Sequence, residues 1–377
     1  MSGIYLHIPF CRKACHYCDF HFSTTLKHKD ALLAAMHKEL GMRTTEVITD
    51  TIETIYFGGG TPSVLNQSEI EAFLDTIERH YPLAEDAEIT LEANPDDLTS
   101  ARIKELARSR INRLSIGIQS FEDDQLRWMN RAHSAVEAAR CLEEVSQYFD
   151  NYSIDLIYGI PGSNPEIWAR TVAKALFYNP PHISAYALTV EPATALQHQI
   201  DKGLSQPPEE DRAEADFRYL TETLELNGFA HYEISNFGKP GFYSRNNSAY
   251  WLGKTYLGIG PSAHSYNGKT RRWNLANNPK YIRAINSDLP YFEQEELSLQ
   301  DRYNEAVMTG LRTEWGVSLL RIREHFGSRF EDYLLKLSKP YLEQQYLFLE
   351  DDALFLSSKG KFLADGIASE LFMVNLK

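Results

Sequence analysis

Apolar residues in the first half of the chain follow two alternating rhythms, short β-rich runs and longer runs of helical period. Residues 3–8 read as a first strand, and further strands are expected over 51–57, 88–92, 113–118, 153–157 and 183–189. Between them, Leu32, Leu33, Met36 and Leu40 recur at helical spacing after Asp30, a fitting cap, and helices are expected near 68–79, 100–109, 135–147 and 165–177. Parallel neighbours need a crossover, so six strands each followed by a helix predict an α/β fold with a parallel sheet, curved into a partial or complete barrel. Such folds bind ligands at the C-terminal ends of their strands, and the polar motifs described below fall after or at the ends of the expected strands.

The rhythm changes after about residue 200. Gln206-Pro207-Pro208 interrupts the chain, an acidic helix is expected over 209–226, and a turn-rich aromatic stretch follows over 229–273. From Leu297 the pattern is helical again, with a hairpin over 347–349 and 353–355 and a last helix. The expected organisation is a barrel over 1–205, a barrel-flanking or linker segment over 206–295, and a smaller, mainly helical, winged-helix-like domain over 296–377.

Composition narrows the partners. The chain has 377 residues, 43% of them apolar, and 38 basic against 52 acidic side chains leave a net charge of −14. That balance repels phosphate backbones and anionic lipid, and no basic patch offsets it, so small molecules or proteins are expected as partners and nucleic acid is not. No apolar run reaches the roughly 18 residues of a membrane span and no signal-like start is present, so a cytoplasmic location is expected.

Three of the four cysteines, Cys11, Cys15 and Cys18, fall together behind the first strand. A disulfide scaffold would spread its cysteines along the chain, so the cluster reads as a set of ligands. A short loop of this spacing wraps three thiolates around a compact inorganic core, and soft sulfur suits an iron–sulfur cluster. Four irons on three cysteines leave one iron open to a cofactor. Tetrahedral zinc is the rival, with His7, His16 or His21 as fourth ligand. Cys141, alone on an amphipathic stretch, reads as a small buried hydrophobe.

Tyr5-Leu6-His7-Ile8-Pro9-Phe10-Cys11, running into Cys15-His16-Tyr17-Cys18, resembles the radical S-adenosylmethionine (SAM) superfamily, in its oxygen-independent coproporphyrinogen III oxidase group. Gly58-Gly59-Gly60-Thr61-Pro62, Glu92-Ala93-Asn94-Pro95, the run from Ser115 to Ser120, Asn130-Arg131 with His133, and the run from Asp155 to Gly162 agree with that group in order. The resemblance implies a partial (β/α)6 barrel, a [4Fe-4S] cluster on Cys11, Cys15 and Cys18, and SAM at the open iron. It places Gly59, Gly60 and Thr61 on the amino-acid part of SAM. Successive glycines would also let the backbone approach a ligand and aim N–H groups at it, or simply form a tight turn. Arg131 is expected to clamp the SAM carboxylate, or else to be a solvated charge. Gln119 and Asp155, with Glu92 alongside, are expected at strand ends on the ribose hydroxyls, and Tyr5, Tyr17 and Thr189 match cofactor-lining positions more loosely. The cofactor chemistry implied is one-electron cleavage of SAM to a 5′-deoxyadenosyl radical.

Within the group, two features depart from the oxidases. The oxidases carry a long extension before the first strand and a further cysteine two residues after the third, where this chain has Phe20. Both departures, with Leu188-Thr189-Val190-Glu191-Pro192 and the 308–313 stretch, resemble the HemW-type haem chaperones. That resemblance implies haem as cargo, haem-accepting respiratory proteins and a reductant as partners, and a monomer or weak dimer. The alternative is decarboxylation of coproporphyrinogen III by the oxidase reaction. The chaperones carry a His-Asn-x-x-Tyr-Trp motif, read here as Asn246-Asn247-Ser248-Ala249-Tyr250-Trp251. An amide is a poor haem ligand, so His264, or His231, is the expected replacement, unless each is simply hydrogen-bonded within a turn. Tyr250 and Trp251 stack on the porphyrin or anchor the core.

Overall fold

The computed structural model describes residues 2–46 and 51–374. Its first strands are β1 (Ser2–Ile8), β2 (Ile52–Gly59), β3 (Leu83–Ala93), β4 (Arg113–Gln119), β5 (Tyr152–Tyr158) and β6 (His182–Ala187). Each pairs in parallel with the next. The crossovers are α1 (Lys29–Met42), α2 (Gln67–His80), α3 (Ser100–Leu106), the pair α4 (Asp123–Trp128) and α5 (Ala135–Val145), and α6 (Pro165–Phe177). Their starts are written locally: Asn66 with Glu69 and Ser134 with Glu137 form capping boxes, and Asn164 caps a helix that opens on Pro165.

Alternation along the strands sorts the sheet into two faces. Ile4, Leu6, Ile8, Ile55, Phe57, Leu91, Leu114, Ile116, Ile154, Leu156 and Ile183 are fully buried in the main core, which they share with the helices. The residues between them are polar or aromatic: Tyr5, His7, Tyr56, Glu92, Arg113, Ser115, Ser153, Asp155 and Ser184. They bond to one another, as Tyr56 to Glu92 at 2.8 Å and Ser115 to Ser153 at 2.9 Å, so they share the opposite, inner face.

The segment expected to be turn-rich contributes strands. After α7 (Ala195–Asp201) and α8 (Glu210–Leu226) come β7 (Ala230–Glu233) and β8 (Asn236–Gly238), then α9 (Arg245–Trp251), β9 (Thr255–Ile259), β10 (His264–Tyr266), β11 (Thr270–Asn274), α10 (Asn278–Asn286) and β12 (Phe292–Glu296). β9 runs parallel to β1 and β8 antiparallel to β6. The mixed sheet therefore has the order β12-β11-β10-β9-β1-β2-β3-β4-β5-β6-β8-β7 and does not close. Strands of three to five residues are too short to display a period of two, which is why turn residues dominated their pattern.

One buried carboxylate ties the added strands to the barrel. Glu39 of α1 accepts from Tyr281 Oη at 2.5 Å, Asn274 Nδ2 at 2.8 Å, the Gly260 amide at 2.9 Å and Arg43 Nη1 at 3.1 Å.

The C-terminal unit has its own core, built on Tyr303, Val307, Leu311, Ile322, Leu334, Leu354 and Leu371. It comprises α11 (Leu299–Leu311), β13 (Val317–Ser318), α12 (Leu319–Phe326), α13 (Ser328–Glu343), the hairpin β14 (Leu347–Glu350) and β15 (Ala353–Leu356), α14 (Ser358–Lys361) and α15 (Ala364–Glu370). Among the described residues no helix is long and apolar enough to cross a membrane.

Candidate functional site

β1 delivers the chain into a loop that carries the three partly exposed thiols of Cys11, Cys15 and Cys18. The loop is closed at its base by Cys11 N–H to Ser23 O at 3.1 Å and Ser23 N–H to Pro9 O at 2.8 Å. Its far side is stapled to the segment after α4. There His16 N–H donates to Met129 O at 3.1 Å, the His16 ring bonds Trp128 O at 2.8 Å, and Asn130 Nδ2 donates to Ala14 O at 2.7 Å. The 130–133 motif thus builds the loop as well as offering Arg131.

Arg131 sits at the junction. Its Nη2 donates to Asn94 Oδ1 at 2.6 Å and Gly117 O at 2.8 Å, and its Nη1 reaches Cys15 Sγ at 3.4 Å. Its Nε is buried without a partner, a donor still available to a ligand. Thr61 Oγ1 reaches Cys11 Sγ at 3.4 Å and accepts from Asn94 Nδ2 at 3.2 Å. Burial raises the Cys11 and Cys18 thiols, Cys18 to about 12, and neighbouring thiols raise them further. Crowded thiols of this kind give up their protons readily only to a bound metal.

The three histidines considered as a fourth metal ligand are engaged elsewhere. His7 bonds Tyr5 Oη at 3.1 Å and His21 O at 2.9 Å, His21 bonds Asn278 Oδ1 at 2.7 Å, and His16 holds Trp128 O. Among the described residues no three His, Cys, Asp or Glu side chains gather around a single-ion position.

The inner face continues from this loop. Glu92 accepts from Tyr56 Oη at 2.8 Å and from the Gly59 amide at 3.1 Å. Its carboxyl is pushed up to about 7, first by burial and then, against the Tyr56 hydrogen bond, by Asp155. Burial likewise raises Asp155 to about 6, against hydrogen bonds from Ser184 and Ser115 and the charge of Arg113. Tyr5 and Tyr17 are also deprotonated only with difficulty, chiefly through burial.

Three expectations change in the structure. The glycine run offers no row of free N–H groups: the amides of Gly59, Gly60 and Thr61 bond to Glu92, Ile8 O and Phe10 O. Glycine is needed for space instead, since a Cβ on Gly58 would lie 2.8 Å from both Tyr5 and Tyr56, and one on Gly60 would lie 2.8 Å from the Phe10 backbone. Asp155 stands in the middle of β5 rather than at a strand end, whereas Gln119 does end β4, with a φ of 65°. Thr189 lies two residues beyond Ala187, where β6 and its pairing with β5 end, and is exposed.

Asn94, Tyr56, Ser115 and Ser184, without a role in the motifs read along the chain, hold Arg131, Glu92 and Asp155 in place. The available signal was the period-two alternation of polar with apolar residues inside runs read simply as strands. Cys141 is buried on α5, as expected of a small hydrophobe, its thiol raised by burial to about 12.

The residues expected at haem separate. Tyr250 and Trp251, at the end of α9, line a cleft facing the C-terminal unit, and the Tyr250 ring meets Tyr256 edge-on at 4.6 Å. His264 is exposed on β10 beside Trp273 and does not line that cleft. His231 is buried against Phe237, both nitrogens engaged, by Ile234 O at 3.0 Å and Lys361 Nζ at 3.0 Å. Asn246 is buried, its side-chain oxygen accepting from Thr54 Oγ1 at 3.0 Å while its backbone N–H donates to Glu88 at 3.1 Å.

Comparison with known proteins agrees with this geometry. The radical SAM superfamily profile matches residues 5–175 and the HemN C-terminal domain profile residues 297–363. Over 372 residues the chain is 34% identical to the haem chaperone HemW of Bacillus subtilis, covering 97% of this chain and 98% of that one. It belongs to the HemW family of radical SAM proteins. The HemW of Lactococcus lactis is also 34% identical, over 99% of this chain and 97% of its own. The solved coproporphyrinogen III oxidase (HemN) of Escherichia coli superposes with a TM-score of 0.86 over 99% of this chain and 90% of its own, at 24% identity, which establishes the shared fold. Membership of this family implies a [4Fe-4S] cluster and SAM, and the sulfur donors and the unpartnered Arg131 Nε fit both groups.

Proposed function

We propose that this chain holds a [4Fe-4S] cluster on Cys11, Cys15 and Cys18, binds SAM across the inner face, and delivers haem to acceptor proteins in the cytoplasm. The observation that carries this reading is similarity along the full length to proteins named haem chaperones, at 34% identity over at least 97% of the chain. When bound, the cluster supplies an iron corner open to SAM and a one-electron couple.

The chain's own residues bind and orient. Arg131, fixed by Asn94 and Gly117, presents its free Nε to the SAM carboxylate. Glu92, Gln119 and Asp155 take the ribose hydroxyls, and the bare backbone lets Tyr5 and Tyr56 pack against Gly58 and His7 against Gly59. Tyr5 and Tyr17 close the site against water. Haem-accepting respiratory proteins and an electron donor are the macromolecular partners, and the chain works as a monomer or weak dimer.

The fold shared with coproporphyrinogen III oxidase supports a second reading, radical decarboxylation of propionates to vinyl groups. Anaerobic reconstitution with coproporphyrinogen III, SAM and a reductant separates the two. The expected result is no protoporphyrinogen, together with transfer of haem from the loaded chain to an apo haem protein. Protoporphyrinogen formed in proportion to SAM consumed would overturn the chaperone reading.

A further inference from the structure

We propose that haem seats in the cleft between the barrel and the C-terminal unit, with its ring between aromatic walls, its propionates on Arg302 and Arg321, and its iron on His325. This rests on the chaperone reading and gives it a site. The cleft measures about 840 Å³ and runs between α9, β9 and β10 on one side and α11, β13 and α12 on the other. That volume falls within the roughly 300–1,000 Å³ typical of pockets for organic ligands.

Its chemistry selects a flat dianion. Trp251, Tyr256, Tyr266 and Trp315 provide broad rings, and Trp251 is held by the Arg312 guanidinium at 5.0 Å from its centroid. Of the other lining charges, Arg271 and Glu305 neutralise each other at 2.7 Å. Arg302 and Arg321 are different: no carboxylate among the described residues pairs with either, and Arg302 Nε is buried without a partner. Two unpaired guanidiniums on α11 and α12 match two propionates, which accept paired N–H bonds in this geometry.

The iron ligand follows from what Asn246 does. Asn246 is spent on the fold: its side chain accepts from Thr54 Oγ1 and bonds Tyr250, and its backbone N–H donates to Glu88. The opposite wall supplies an imidazole: His325, exposed on the last turn of α12, lines the cleft together with the thioether of Met308. Imidazole and thioether are both ordinary axial ligands of haem.

The test is titration of the cluster-loaded chain with ferric haem and, separately, with iron-free protoporphyrin IX, read by Soret absorption, magnetic circular dichroism and fluorescence. Wild type is expected to show an imidazole-ligated spectrum. His325→Ala should lose that signature and at least ~10-fold in haem affinity, comparable to the loss when a metal site is disturbed, while keeping protoporphyrin binding. Arg302→Gln with Arg321→Gln should weaken both porphyrins. Unchanged circular dichroism keeps a loss from being ascribed to unfolding. Wild-type haem binding that all these variants retain unchanged would overturn the site and leave the chaperone reading standing. Failure of the wild type to bind haem would overturn both.

Discussion

Arg131 Nη1 stands 3.4 Å from the sulfur of Cys15, while its Nη2 is anchored on Asn94 and on the Gly117 carbonyl. One guanidinium therefore spans the cluster loop and the ends of β3 and β4. Arg131→Ala should lower both iron retention and SAM affinity, each by at least about tenfold. Arg131→Lys, which keeps the charge and loses the planar fork, should retain iron better than SAM. Iron and sulfide counts with calorimetric SAM titration check this; equal SAM affinity in wild type and Lys variant would refute the fork.

Gly60 touches the loop through the backbone alone. A methyl group there would lie 2.8 Å from Phe10 N and O and 2.9 Å from Ile8 O. Gly60→Ala should displace Phe10, and with it Cys11, so the purified variant is expected to hold less iron than wild type under identical anaerobic reconstitution. Full iron content would mean that the loop yields without cost.

Cysteine substitutions should divide cleanly. Cys11→Ser, Cys15→Ser or Cys18→Ser should abolish the cluster's visible absorption with secondary structure intact. Cys141→Ala should leave iron content unchanged and cost only stability, because that thiol is packed inside α5 against the main core.

The inner-face carboxyls give a pH dependence of known sign. Glu92 titrates at about 7 and Asp155 at about 6 in the fold, both above their ordinary values because burial disfavours the charged form. Their contribution to stability is complete below their ordinary range near 4 and is lost as pH rises through 6 to 7. The melting temperature of the cofactor-free chain should fall across that window, and Glu92→Gln should flatten the upper part of the fall. A melting curve independent of pH there would contradict it.

Glu39 is a stability prediction remote from the chemistry. Removing it by Glu39→Ala strands Tyr281 Oη, Asn274 Nδ2, the Gly260 amide and part of the Arg43 charge in the interior. A cost of about 3–5 kcal/mol is expected, as for breaking other buried ion pairs. Chemical denaturation checks it; a loss below about 1 kcal/mol, typical of a surface pair, would show that water reaches the hub.

The order of strands and helices in the first half, the cluster loop and the family motifs are all legible along the chain. Those features are local. Alternation of polar and apolar residues, capping pairs such as Ser134 with Glu137, and three cysteines within one loop are each written within a few residues. Tertiary structure alone decided the rest. β9 joins β1 across a long stretch of chain, and strands as short as β10 acquire their identity from the neighbours they pair with. It also decided that Asn246 turns into the barrel while His325, remote in sequence, lines the same cleft as Trp251. Which side chains converge depends on how distant elements dock, and neither periodicity nor spacing along the chain records that docking.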